Sequence, residues 1–328
     1  MKKLLPIILA IVLLVCSLSA CAAPAAPAAG DTAAAAPATK GKIFMTSAFY
    51  TAPYGSPMQE AVKTKAEALG YEVQIVDGES NADKQLSQIK SAIADGYDGI
   101  IYWPGDTAST PPLVEFLNES KLPWVDINTV VDPSVFNDCP CVVASDETEI
   151  GRWLGRLAIE YFEKNPSDTK NVAYIEGQPG SSYTENLTTG MNEILEGTDI
   201  VILNDHQYSD FDPTKAMNIM EDLITKYGDQ IDLVVTQDGG MFQGAYSALE
   251  SSGYLGKCGI VCQGQDLIVK EKLLSGELYA SVAQDPFVEG SLAVENLIKL
   301  IEGQEVDQWT VTPTGPIYAA DVDNYSWF

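Results

Sequence analysis

Two doubly wound α/β lobes are the fold class that this sequence predicts, and three observations predict it. Apolar runs of strand length alternate with stretches of helical period, and the scheme runs through the chain twice. The strand-length runs are apolar on both faces, as parallel strands are when helices cover both sides of a sheet. The stretch from Lys42 to Phe328 is too long for one small core and suits two.

The elements follow in order. KIFMTSA (42–48) reads as a strand, and a helix is expected over 58–69. Ser56-Pro57-Met58-Gln59 marks its start with an N-cap Ser, Pro at the first helical position and a capping-box Gln. YEVQIVD precedes a helix over 84–94, DGIIYWP precedes one over 113–119, and PWVDIN closes the first half. Ile150, Leu154, Leu157, Ala158 and Tyr161 then share one helical face. In the second half NVAYIEG precedes a helix over 183–195, and DIVILND precedes one over 213–227, on which Ala216, Ile219, Met220, Leu223 and Tyr227 share a face. IDLVVTQD precedes a helix over 241–251; GIVCQGQD and LYASVAQD follow, the latter before a helix over 289–301.

Residues 1–20 have Lys2 and Lys3 before an almost uninterrupted apolar segment from Leu4 to Leu18, the charge and length pattern of a secretory signal. The protein is therefore expected outside the cytoplasm. Leu18-Ser19-Ala20-Cys21 resembles the lipobox of bacterial lipoproteins, which implies that Cys21 becomes the lipidated first residue. Cleavage after Ala22 would instead release a soluble protein. The tract from 22 to 41 favours the anchor: its Ala, Pro, Gly and Thr cannot bury enough surface to offset their ordering entropy, so it reads as a tether spanning roughly 25 Å. A lipid-anchored extracytoplasmic position on a bacterial cell membrane is the expectation.

The formal net charge is −27, and two units more negative once Lys2 and Lys3 are removed. Phosphate binding needs the opposite sign, so no nucleic-acid partner is expected. His206 is the only histidine, which removes His-based metal sites and triads. Four cysteines remain beyond Cys21. In CGIVC, Cys258 and Cys262 enter a strand, where four residues place the Cα atoms roughly 13 Å apart, beyond bridging distance. Cys139 and Cys141 flank a Pro and could close a small strained ring or remain free thiols. No metal, no cofactor and no enzymatic activity is expected: there is no Ser–His pair and no carboxylate cluster in a local motif.

In doubly wound sheets ligands sit beyond the carboxyl ends of the strands, so the residues just after each strand are the informative ones. They are Phe49 and Tyr54, Trp103, Asn128, and Ser145 with Asp146. The second half contributes Tyr183 and Glu185, Phe211, Asp238, Gln263 with Asp266, and Gln284 with Asp285. Aromatic faces alternate with amides and carboxylates. A polyhydroxyl ligand needs this chemistry, because its C–H faces lie on rings while Asn, Asp and Gln exchange hydrogen bonds with its hydroxyls. Asp146 has a competing role as the N-cap of the helix that follows it, and Trp103 a competing place in the core. EGQPGSS has glycines but not the Lys of a phosphate loop.

ESNADKQLSQIKSAIADGYDGIIYWPGD, VVASDETEIG, YIEGQPGSSYTEN, SDFDPTKAMNIMEDLI, MFQGAYSALESSG and LLSGELYASVAQDP, in this order, resemble the ribose-binding-protein type of type I periplasmic binding proteins, sugar-binding lipoproteins that feed ABC importers. The resemblance implies two α/β lobes joined by three crossovers, here near Ser145, Gln284 and Pro313, with the ligand in the cleft between them. It implies an N-terminal lobe of 42–145 plus 285–313 and a C-terminal lobe of 146–284 plus 314–328. Tyr54 stands where the family has a stacking Phe, Phe211 matches an aromatic, and Gln284 a hinge Gln. Asn128 replaces an Asp followed by Arg, Asp238 replaces an Asn, Glu185 lies where an Arg is common, and Gln263-Gly264 replaces an aromatic–Asp pair. Both familiar arginines are thus missing, which suits a neutral sugar or polyol other than ribose, or a ligand carrying positive charge. The implied partners are a small sugar or polyol, an ABC permease and the membrane through Cys21, with the protein a monomer. The alternatives are a nucleoside ligand stacked on Trp103 and Tyr54, and a sensor whose closed form docks on a signalling receptor.

Overall fold

The computed structural model describes residues 39–328. The signal segment, Cys21 and nearly all of the tether lie outside the described residues. Among those described, no helix is long and apolar enough to cross a membrane.

The first sheet contains β1 (Gly41–Ser47), β2 (Tyr71–Asp77), β3 (Gly99–Trp103), β4 (Trp124–Ile127), β5 (Val142–Ser145) and β11 (Trp309–Thr312), in the order β11-β5-β4-β3-β1-β2, with every pair parallel. Alternate residues of β3 show why both faces had to be apolar. Ile101 and Trp103 pack with Met58 and Val62 of α1 (Gly55–Ala68) and with Ala293 and Leu297 of α9 (Pro286–Ile301). Ile100 and Tyr102 pack with Ile89 of α2 (Ala82–Ala94) and Leu113 of α3 (Pro111–Ser120).

The second sheet contains β6 (Asn171–Ile175), β7 (Val201–Ile202), β8 (Leu233–Thr236), β9 (Gly259–Gln263), β10 (Ala280–Val282) and β12 (Pro316–Ile317), in the order β12-β10-β9-β8-β6-β7. Only β12 is antiparallel to its neighbour. Helices α4 (Glu147–Lys164) and α5 (Ser182–Leu195) cover one face, and α6 (Pro213–Tyr227), α7 (Gly239–Ser251) and α8 (Leu267–Ser275) the other. The chain leaves one sheet for the other after β5, after β10 and after β11.

Several local readings need correction. Helix α1 begins at Gly55 with Tyr54 in the capping position, so Ser56 is not its N-cap, and Gln59 donates to the Tyr50 carbonyl instead. The DIVILND strand shrinks to two residues because it lies at a sheet edge, with Val201 53% exposed. Helix α9 starts at Pro286, three residues before the expected start, because Asp285 caps it by accepting from the N–H groups of Phe287 and Val288. Helix α8 and strands β11 and β12 carry too little periodicity to stand out in sequence. Cys139, Cys141, Cys258 and Cys262 are free thiols, all but Cys258 buried.

Candidate functional site

The carboxyl ends of the two sheets face each other. Thr107, beyond β3, donates to the Ser182 hydroxyl at the start of α5 at 2.8 Å, a direct bond between lobes. The ring of Phe328, whose backbone is bonded to Gln265 and Leu267 of the second lobe, lies edge-on to Tyr54 of the first at 5.7 Å.

The first wall is organised by a residue that sequence reasoning missed. Glu289, in the first turn of α9, is 0% exposed. Its Oε2 accepts from the Tyr54 hydroxyl at 3.0 Å and from Asn128 Nδ2 at 2.8 Å. Its Oε1 accepts from Ser145 N at 3.2 Å, Ser145 Oγ at 3.0 Å and Thr312 Oγ1 at 3.1 Å. One carboxyl therefore ties together the mouths of β4, β5 and β11 and the loop after β1. Burial raises its pKa, against the pull of these donors. Asn128 adopts a left-handed backbone (φ 68°), a conformation Asn tolerates better than most residues, and this turns its amide toward Glu289. Trp103 is 1% exposed beneath the rings of Phe49, 5.4 Å away, and Tyr54, 6.4 Å away, and its Nε1–H has no partner among the described residues.

The second wall rests on Gln237, which is fully buried after β8. Its Oε1 accepts from Gly177 N at 2.8 Å, and its Nε2 donates to Thr184 O and Thr188 Oγ1, both at 3.0 Å. This cross-link fixes the β6–α5 turn and with it Tyr183. The Tyr183 hydroxyl makes long contacts to Gln237 O at 3.4 Å and Gln284 Oε1 at 3.5 Å. Phe211, in a left-handed backbone (φ 56°), sets its ring 6.0 Å from that of Tyr183. The ring fits because Gly177 has no side chain there: a Cβ at that position would overlap it. Gln263 and Gln284 are 4% and 5% exposed and meet at 3.5 Å.

Carboxyl groups dominate the charge. Burial pushes the Asp238 carboxyl up to about 7, with neighbouring Asp266 adding to the shift, and pushes Asp266 itself up to about 6. Burial also raises Glu147, at the start of α4, to about 7, although Asn186 donates to it at 2.8 Å. Tyr183 feels the field of Asp238, Glu147 and Glu289 together, after the larger effect of its own burial, and its pKa stands well above the ordinary tyrosine value. None of these four carboxyls takes part in an ion pair among the described residues.

Of the strand-end residues, the structure gathers Phe49, Tyr54, Trp103 and Asn128 on one wall and Tyr183, Phe211, Asp238, Gln263 and Gln284 on the other. Asp146 takes its capping role, accepting from Glu149 N at 3.1 Å. Glu185 is exposed on the first turn of α5, where it adds to the field at Tyr208 rather than joining the cluster. The one signal for Glu289 in the sequence is its position: a carboxylate on the buried stripe that includes Ala293 and Asn296. Glu147 and Gln237 carried no such sign.

Two depressions lie away from the cleft, on the outer side of the second lobe. One of about 700 Å³ is an open surface between α5 and β7. The other, about 210 Å³, is lined by Tyr174, Glu176, Asn204 and His206 among others, with His206 Nδ1 2.8 Å from buried Glu176. Neither is lined by a residue from the set at the strand ends.

Residues 43–305 match the family described as periplasmic binding protein domain. The chain is 28% identical over 270 residues to the ribose import binding protein of Bacillus subtilis, covering 80% of this chain and 82% of that one. It is 22% identical over 245 residues to the D-xylose-binding periplasmic protein of Escherichia coli, covering 74% and 72%. An ABC transporter solute binding protein from Bacillus halodurans, solved with bound myo-inositol, superposes with a TM-score of 0.78 at 23% identity, covering 88% of this chain and 97% of that one. One from Actinobacillus succinogenes with bound D-allose gives 0.78 at 22%, covering 87% and 100%.

Proposed function

This chain belongs to the periplasmic binding protein family, and on that premise we propose that it captures a small polyhydroxyl ligand, a monosaccharide or polyol, between its lobes and delivers it to an ABC importer. The observation that carries the reading is the composition of the two walls. Asn128 on one side and Gln263 and Gln284 on the other offer paired donors and acceptors, and Tyr54, Tyr183 and Phe211 offer faces for C–H groups. The ligand named for each of the four relatives above is a sugar or a polyol. A nucleoside fits less well, because Trp103 is covered by Phe49 and Tyr54 and has no free face for a base.

Ligand touching both lobes stabilises the closed arrangement by its differential affinity for it, and the closed pair of lobes is what a permease would recognise. The protein acts from the extracytoplasmic face of the cell membrane, tethered through lipid on Cys21. A thermal-shift screen of sugars, polyols and nucleosides tests the ligand class: a ligand at 100 times its Kd adds about 2.7 kcal/mol to stability. A hit among sugars or polyols supports the reading, and hits confined to nucleosides overturn it. Labelled fatty acid is expected to enter the parent protein and not Cys21→Ala; incorporation into the variant would refute the anchor.

A further inference from the structure

Four carboxyls of the cleft, Glu289, Glu147, Asp238 and Asp266, have no ion-pair partner among the described residues, and they are not equivalent. Glu289 is satisfied by five donors, whereas Glu147 accepts from Asn186 at one oxygen. Asp238 spends Oδ1 on capping α7, accepting from Met241 N at 2.5 Å. Asp266 lies against the start of the same helix, where a Cβ on Gly239 would collide with its Oδ2, and its carboxylate accepts no hydrogen bond from another described residue. Two carboxylates thus stand side by side at the mouths of β8 and β9 with unused oxygens. On the same wall are two amides that are also incompletely partnered. Gln284, 5% exposed, donates from Nε2 to no described residue, and Gln263, 4% exposed, accepts at Oε1 from none.

We propose that the ligand carries an ammonium group beside its hydroxyls, as an amino sugar or aminocyclitol does, and that Asp238 and Asp266 hold that group while Gln263, Gln284 and Asn128 read the hydroxyls. The inference rests on the ligand-binding reading above and narrows its substrate class. The reason is electrostatic. A neutral polyol closing over this wall would force two adjacent carboxyls either to take up protons or to stay desolvated without a counter-charge, and either costs free energy, whereas an ammonium supplies the charge and three donors at one point. Glu289 does not compete for it, since five donors already occupy its carboxyl.

The test is titration calorimetry at pH 7.5 on the folded protein with matched pairs, galactose against galactosamine and inositol against an inosamine. The amine member of a binding pair is expected to bind at least tenfold more tightly. Asp266→Asn, isosteric and uncharged, is expected to bring that ratio toward one, with melting temperature reporting that the variant is folded. Asp238→Asn, which retains a capping oxygen, provides the second variant. A neutral member that binds as tightly as its amine overturns the inference and leaves the polyhydroxyl reading standing. If neither sugars nor polyols of either kind bind while a nucleoside does, the broader reading fails and this one with it.

Discussion

Removing Glu289 tests whether one carboxyl builds the first wall of the cleft. In Glu289→Ala the five donors do not suffer equally. The Ser145 and Thr312 hydroxyls still bond each other at 2.7 Å, and Tyr54 and Asn128 border the cleft, where water can replace the lost acceptor. The Ser145 N–H is the donor left buried and unpaired, at about 1 to 3 kcal/mol. The emptied volume adds to this, and relief from burying a carboxyl offsets part of it. A net loss of about 2 to 3 kcal/mol corresponds to roughly 4 to 10 °C in Tm for a protein of this size. Glu289→Gln behaves differently. Its carbonyl still serves Ser145 and Thr312, while its NH₂ faces Tyr54 and Asn128, which must turn a hydroxyl and an amide to accept. Stability should stay within about 1 kcal/mol, but Asn128 then presents the opposite face to the ligand, and affinity should fall about 5- to 30-fold. Calorimetric melting and ligand titration on both variants separate the two effects. Should the Ala variant melt within 1 °C of the parent and the Gln variant bind as tightly, the Glu289 network does not hold the wall.

Phe211→Ala should weaken ligand binding several-fold by removing a ring that Tyr183 and Gly177 position, while Asp168→Ala, on an exposed loop, should bind as the parent does; equal affinities for all three proteins would move the site out of this cleft. Stability of the ligand-free protein should fall as pH rises from about 4 to about 7, because Asp238, Glu147 and Asp266 hold protons there that the unfolded chain has released. Melting scans should therefore give a higher Tm at pH 5.5 than at pH 8, with a smaller difference in Asp238→Asn; an unchanged difference in that variant would remove Asp238 from the account. Small-angle scattering should show compaction at saturating ligand if the Thr107–Ser182 bond belongs to the closed arrangement, and an unchanged radius of gyration would count against closure.

Much of the architecture was determined by the sequence alone, since it follows from patterns that close neighbours along the chain decide. GIIYW is apolar at consecutive positions, so β3 had to be covered on both faces, and the stripe through Ala293 and Leu297 had to turn inward. Strand-end position likewise pointed to Tyr54, Asn128, Tyr183, Asp238 and Gln284, because the carboxyl edge of a parallel sheet is where its loops collect. Only the tertiary structure decided how those loops are rotated and what they meet. Tyr183 and Glu185 are two residues apart on one helix, which places them on nearly opposite sides, so one enters the cluster and the other faces solvent. Asp146 caps its helix by accepting from Glu149 N, a bond that forms only once the helix has folded back toward it. Glu289 falls on the inward stripe of its helix, but what it serves shows only where Tyr54, Asn128, Ser145 and Thr312 converge on it, and its partners lie up to 235 residues away in the chain. A buried charge is tolerated only where enough donors meet it, and that convergence is a property of folded space that no local window of the sequence contains.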